Sequence, residues 1–153
     1  MLRAVKIRLL PTAEQEKLFW KSADTARWAY NYFLSENQRT YRETGKGISE
    51  DAIRKHINSV LKKTTHVWLS KVSSNVMKQA VKDAGIALKR FFKNLFGYPK
   101  FKSHHRSKAS FYVNYESLKR LRNGFQGEKL GYVKTASIGI CRSAMKFKLK
   151  KLN

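Results

Sequence analysis

Lys78, Lys82, Lys89 and Lys93 recur at spacings of four, seven and four residues, which places all four ammonium groups along one side of a helix. At ~1.5 Å rise per residue the line runs roughly 22 Å. Charges spaced this way suit the phosphates of an extended polyanion. Asp83 is the one acid between Ser74 and Phe92, so most of these lysines lack a carboxylate one turn away. The alternative is a solvated charged face. A second constellation follows at Gly97–Lys108. Lys100, Lys102, Arg106 and Lys108 are interleaved there with Tyr98, Phe101, His104 and His105, and no acid intervenes. Aromatic rings stack on bases while neighbouring cations neutralise phosphates. Alternatively, Tyr98 and Phe101 enter the core at a helix–strand junction and only the lysines face outward.

Other chemistries are poorly supplied. No aspartate follows Asp83, and Glu116 and Glu128 are the only glutamates beyond it. Metal-dependent phosphodiester cleavage needs clustered carboxylates, so no catalytic residue and no metal ligand is assigned. Cys141 is the single cysteine, which excludes an internal disulfide and a cysteine-based zinc site. His104 and His105 are adjacent rather than one turn apart, and His56 and His66 read as ordinary surface or core residues. Gly45-Lys46-Gly47 lacks the Gly-Lys-Ser/Thr ending of a phosphate loop. No cofactor is expected.

The elements that must position these groups are legible from periodicity and capping signals. Val5, Ile7 and Leu9 alternate along a first strand that Pro11 ends. Thr12-Ala13-Glu14-Gln15 reads as a capping box. The helix it opens is expected to run to about Tyr41, burying Leu18, Phe19, Ala26, Tyr30, Phe33 and Leu34, and to break at Gly45-Lys46-Gly47. Trp28 lies off that stripe. Base stacking is open to it, and packing on the β-unit is preferred. Ser49 with Glu50 and Asp51 caps a second helix that buries Ile53, Ile57, Val60 and Leu61. Lys62–Thr65 reads as a turn, and Ser73 or Ser74 caps the third helix. Its apolar stripe is expected to be Met77, Ala80, Val81, Ala84, Leu88, Phe91, Phe92 and Leu95. Beyond Pro99, short strands are expected over 111–115, 118–122 and 131–140, with turns at Asn123-Gly124 and Gln126-Gly127.

The chain has 153 residues and a formal net charge of +23. Its 42% hydrophobic and 12% aromatic content is too high for a disordered basic tail, so it should fold as one domain with a modest core. So large a charge opposes compaction, and a bound polyanion relieves it. Residues 1–92 carry 18 basic and 8 acidic side chains, and residues 93–153 carry 15 basic and 2 acidic. The C-terminal part is therefore the denser polyanion-facing region. Nucleic acid is the leading partner. No apolar run approaches ~20 residues, so no membrane is implicated. The N-terminus has no signal-like apolar region. A reducing cytoplasmic, nucleoid-associated setting is expected.

Six motifs occur in order. They are Val5–Thr12, Ala26–Asn31, Trp68–Ser74 with Gln79-Ala80, Leu88–Phe92, Gly97–Lys102 and Lys129–Lys134. Over residues 3–136 the set resembles the N-terminal part of TnpB. This is an insertion-sequence-encoded family, long called a transposase accessory, of RNA-guided nucleases related to type V CRISPR effectors. The resemblance implies an α+β fold, a small wedge-type β-barrel interrupted by a three-helix recognition insertion. It divides the chain into a first wedge strand at 1–11, the insertion at 12–96, returning wedge strands at 97–136 and a divergent basic tail at 137–153. It also implies that a guide RNA carries the sequence information while the protein reads shape and a short duplex motif. Ser74, Asn75, Lys78, Gln79 and Lys82 are then candidates for the DNA motif. Arg3, Lys6, Arg8, Lys89, Lys93, Lys100, Lys102, Arg106 and Lys108 are candidates for RNA. The family's RuvC-type aspartates and four-cysteine zinc ribbon have no counterpart in this sequence. The expectation is a truncated copy that binds nucleic acid without cutting it, with a separately encoded nuclease portion as a conceivable partner. A stand-alone DNA-binding regulator and a non-functional remnant are the alternatives.

Overall fold

Helix α1 spans Ala13–Thr44 and begins with the capping box expected from sequence. Thr12 Oγ1 accepts from the Gln15 N–H at 3.2 Å, and Gln15 Oε1 accepts from the Thr12 N–H at 3.0 Å. It ends where Gly45 takes the left-handed conformation, φ 72°, and its N–H donates to the Tyr41 carbonyl. A side chain would be strained at that φ, so glycine sets the helix length. The chain is described by a computed structural model over residues 6–136 and 145–149. Helix α2 spans Glu50–Ser59, capped by the Ser49 hydroxyl on the Ala52 N–H. Two short 3-10 turns, Leu61–Lys63 and Val67–Lys71, lead to helix α3 at Ser74–Phe92, whose cap is Ser73.

Six strands complete the molecule: β1 (Leu9–Leu10), β2 (Ser110–Val113), β3 (Leu118–Leu121), β4 (Gly124–Gly127), β5 (Gly131–Thr135) and β6 (Met145–Lys148). They form a four-stranded antiparallel sheet in the order β1-β5-β4-β3 and a separate antiparallel pair, β2-β6. The mixed α+β class is therefore as expected. The strands of the expected wedge-type β-barrel do not close into a barrel among the described residues. Among the described residues no ladder joins the two sheets, and they meet through side chains instead.

Two buried clusters hold these layers together, and α1 and α3 contribute to both. Phe19 and Ala23 of α1 and Val76 of α3 join Val72 and the sheet residues Phe111, Val113, Phe125, Val133 and Phe147. Phe147 sits at the centre, stacked on Phe111 at 4.6 Å and contacting the rings of Phe19 and Phe125 at 5.3 and 5.7 Å. Further along the same helices, Ala29, Tyr30, Phe33 and Leu34 meet Met77, Val81, Ala84 and Leu88. Ile53 and Ile57 of α2 and Leu69 close that second cluster.

Several expectations are corrected. The first strand is described only at Leu9–Leu10, and Val5 lies outside the described residues. Val60 is the exposed C-terminal cap of α2 rather than part of its buried stripe. The apolar face of α3 is buried only as far as Leu88, and Phe92 and Leu95 are exposed. Trp28 packs neither on the β-unit nor outward alone. It stacks on Tyr32 at 4.9 Å, with His66 and Trp68 at 5.1 and 5.8 Å. Gln126-Gly127 is the end of β4, not a turn. The β3–β4 connection is Arg122-Asn123, and the β4–β5 connection is Glu128–Leu130 with Lys129 at φ 58°. The 111–115 strand starts and ends slightly earlier and gives way to a 3-10 turn at Tyr115–Ser117. The 131–140 strand runs to Thr135, and residues 137–140 lie outside the described residues. Part of the stretch expected as a basic tail, Met145–Lys148, forms β6 against β2.

Candidate nucleic-acid interface

The N-terminal turn of α3 is tied to its surroundings by side chains from elsewhere in the chain. The Ser73 hydroxyl accepts from the Asn75 N–H and donates to Glu128 Oε2 at 2.8 Å. Ser74 Oγ accepts from Lys62 Nζ at 2.7 Å, and Asn75 Nδ2 donates to Ser117 Oγ at 2.8 Å. Lys129 Nζ donates to the Ser70 carbonyl from the other side. Burial, then the charge of Lys129, holds the Lys62 ammonium below its ordinary value, with Glu128 opposing. Two cations thus converge at a helix start, where the dipole favours anions.

One turn on, the motif candidates diverge. Lys78 and Lys82 are exposed, and no ion pair among the described residues involves either. Ser74, Asn75 and Lys78 border a groove between α2 and α3, about 380 Å³ in volume, whose other wall includes Asp51, Arg54 and Lys55. Gln79 faces the opposite way. Its Nε2 donates to Asp83 Oδ1 at 2.9 Å, and it lines a groove of about 260 Å³ together with Arg27, Lys102, Lys108 and Lys146. The five motif candidates therefore do not form one surface.

The candidate RNA contacts are scattered more widely. Lys6 and Arg8 are exposed beside β1, and Arg3 lies outside the described residues. Lys89 is exposed but pairs with Glu50 Oε1 at 3.6 Å. Gly85 makes that approach possible, because a Cβ there would stand 1.9 Å from the Glu50 carboxylate. Lys93, the C-terminal cap of α3, is exposed, as are Lys100, Arg106 and Lys108. Lys102 is different. Its backbone is clamped by Asn31, which donates to its carbonyl and accepts from its N–H, both at 2.8 Å. Its ammonium sits 4.1 Å over the Tyr30 ring. Burial lowers its pKa; Asp83 acts against this and Lys146 with it. The residue as a whole is exposed while its charge lies against the Tyr30 ring.

Sequence reasoning missed Asn31, Lys62, Lys129 and Lys146 as participants. Asn31 had a visible signal in its place within Ala26–Asn31. The others act through contacts 12 or more residues away in sequence, which spacing does not reveal. Among the described residues no group of three or more His, Cys, Asp or Glu could hold a metal ion, and no helix is long and apolar enough to cross a membrane.

Residues 1–46 match a helix-turn-helix domain model of the OrfB/IS605 type. Within that span α1 is one continuous helix, and the turn into α2 follows directly after it. The chain is 30% identical over 108 residues to a protein of Streptomyces pristinaespiralis named as an RNA-guided DNA endonuclease, covering 71% of this chain and 27% of that one. It is 25% identical over 133 residues to the RNA-guided DNA endonuclease InsQ of Escherichia coli (strain K12), covering 87% of this chain and 33% of that protein. The chain thus spans about a third or less of the length of these curated relatives. These matches bear out the resemblance to the TnpB family carried by the six motifs.

Proposed function

We propose that this TnpB-like chain is a nucleic-acid-binding unit that grips guide RNA and a short duplex motif and does not itself cut DNA. The observation that carries the reading is the pair Lys78 and Lys82, exposed on a helix whose other face is buried and free of ion pairs among the described residues. Rigid helical cations of this kind position a phosphate backbone. The split geometry of the motif candidates narrows their roles. Lys78 and Lys82 make the duplex contacts, and Ser74 and Asn75 shape the groove beside them. Gln79 belongs with Lys102 and Lys108 in the second groove, on the RNA side. Lys6, Arg8, Lys93, Lys100 and Arg106 supply backbone neutralisation. Any separately encoded nuclease portion would add the chemistry.

The absence of cutting rests on the carboxylates. Phosphodiester cleavage by two metal ions needs several acids converging on ions about 3.5–4 Å apart. Glu128 is held by Ser73, and Glu116 is exposed beyond β2. The expected outcome is no divalent-metal-dependent cleavage by this chain, with or without guide RNA.

The test of binding is Lys78→Glu with Lys82→Glu. Both sites are exposed, so the fold should persist while affinity for duplex DNA falls. Wild-type affinity should decline with salt at a slope of about −0.7 to −0.9 per phosphate contact. Unchanged affinity in the double variant, or a flat salt response, defeats the reading. The helix-turn-helix match favours a second reading, a DNA-binding regulator that needs no RNA. Full duplex affinity in RNA-free protein would select it.

A further inference from the structure

Past Leu88 the apolar stripe of α3 leaves the core. Phe92, Leu95 and Phe96 are 70%, 62% and 65% exposed, and Phe101 is 54% exposed. The rings are organised. Phe92 lies 5.3 Å from Phe91, and Phe91 meets Tyr98 edge-on at 5.1 Å and 81°. The Arg90 guanidinium lies 5.6 Å over the Phe96 ring. Tyr98 is anchored by a hydrogen bond that its hydroxyl accepts from Gln38 Nε2 at 3.3 Å, which ties the turn to α1. An exposed apolar patch of this kind marks an interaction surface.

Composition and charge select the occupant. Leu95 is the single aliphatic among the exposed apolar side chains from Phe92 to Phe101, and the rest are aromatic. Residues 84–115 contain no Asp or Glu; Arg90 lies over the Phe96 ring, and Lys93 and Lys100 are exposed in the same segment with no ion pair among the described residues, whereas Lys89 pairs with Glu50. An apolar protein face would meet a rim in which cations predominate. Unpaired nucleotides present a flat π face and a negative charge at every repeat. We infer that this aromatic turn stacks the unpaired bases of single-stranded nucleic acid, with the flanking cations on its phosphates. A duplex hides its bases within the helix and offers this surface only phosphates. The inference rests on the nucleic-acid reading above and adds which state of the nucleic acid this end of α3 takes.

The test compares a labelled uridine oligonucleotide with a blunt duplex of equal length. Phe92→Ala with Phe96→Ala should weaken single-strand binding by about ten-fold or more, as loss of base stacking does, and leave duplex binding unchanged. Phe92→Trp with Phe96→Trp keeps the π faces and should retain single-strand affinity. Phe92→Leu with Phe96→Leu keeps apolar area without π faces and should behave like the alanine pair. Thermal melts establish that each variant folds. Equal losses on strand and duplex, or full single-strand affinity in the alanine pair, overturn the inference. So does a variant set that changes only self-association in sedimentation, since the patch is then a protein-docking surface. Wild-type protein that binds the duplex but not the strand defeats this inference alone. Wild-type protein that binds neither defeats it together with the proposed function.

Discussion

The two ends of α3 differ in how far the rest of the protein engages their side chains. At the N-terminal end, Ser73, Ser74, Asn75 and Gln79 each hydrogen-bond to another side chain of the protein. At the C-terminal end, Lys93 and Lys100 have no ion-pair partner among the described residues, and Phe92 and Phe96 stand in solvent. The difference comes from what lies beside each end. The first turns of α3 are flanked by Val72, the 3-10 turns and the β4–β5 connection, so buried Ser73 must find a partner within the protein and its polar neighbours have partners in reach. In the last turn Phe91 is half-covered by Tyr98, which Gln38 of α1 holds, while Phe92, Leu95 and Phe96 stay in solvent. What packs beside each end therefore decides which of its side chains remain available to a ligand.

The largest effect expected follows the boundary between those ends. Leu88→Ala removes a side chain that is 5% exposed in the helical core and should cost ~2–5 kcal/mol. Phe92→Ala, one turn later, should change stability by less than about 0.5 kcal/mol. Urea unfolding of both variants tests the contrast, and similar losses would erase it. The next effect probes the anchored end. Ser73→Ala removes the α3 cap and leaves Glu128 without its hydroxyl partner, so a loss of ~0.5–2 kcal/mol is expected, read in the same unfolding series.

A smaller difference separates cations along the helix. Lys82→Gln should lower the salt slope of duplex binding by roughly 0.9. Lys89→Gln should lower it less, because Glu50 already lies 3.6 Å from the Lys89 ammonium. Salt titrations of the two variants decide this, and equal slopes would mean that the Glu50 contact does not persist in solution.

The smallest effect is a pH dependence. Lys62 and Lys102, held by burial below their ordinary 10.5, bind fewer protons in the folded chain than in the unfolded one in the window ending at 10.5. Stability therefore rises with pH through that window. Tyr30 and Tyr32, raised by burial above 10.0, keep protons that the unfolded chain loses, so their contribution falls as pH climbs past 10.0. Thermal melts through the alkaline range should show a rise and then a fall. Lys62→Gln with Lys102→Gln should flatten the rise and leave the fall.

Much of the local structure is legible in the sequence, and particular residues show why. The Thr12–Gln15 capping box, the Ser49 and Ser73 caps and the Gly45 stop use contacts within a few residues of one another. β4 was missed because Gly124-Phe125-Gln126-Gly127 is four residues with glycine at both ends, which reads as turn and strand equally well. β6 was missed because its partner β2 lies more than 30 residues away and a run of basic residues masks its one buried ring, Phe147.

Helix positions, caps, the excess of cations and the scarcity of carboxylates are properties of composition and short-range spacing, and the sequence by itself determined them. Tertiary structure decided which charges remain available and which rings are covered. It turned the Lys102 ammonium over Tyr30, set Glu50 beside Lys89 across Gly85, and ended the buried face of α3 at Leu88. Helical periodicity tells which side chains share a face. Whether that face is buried depends on how far the neighbouring elements extend, and that is settled only when distant segments pack.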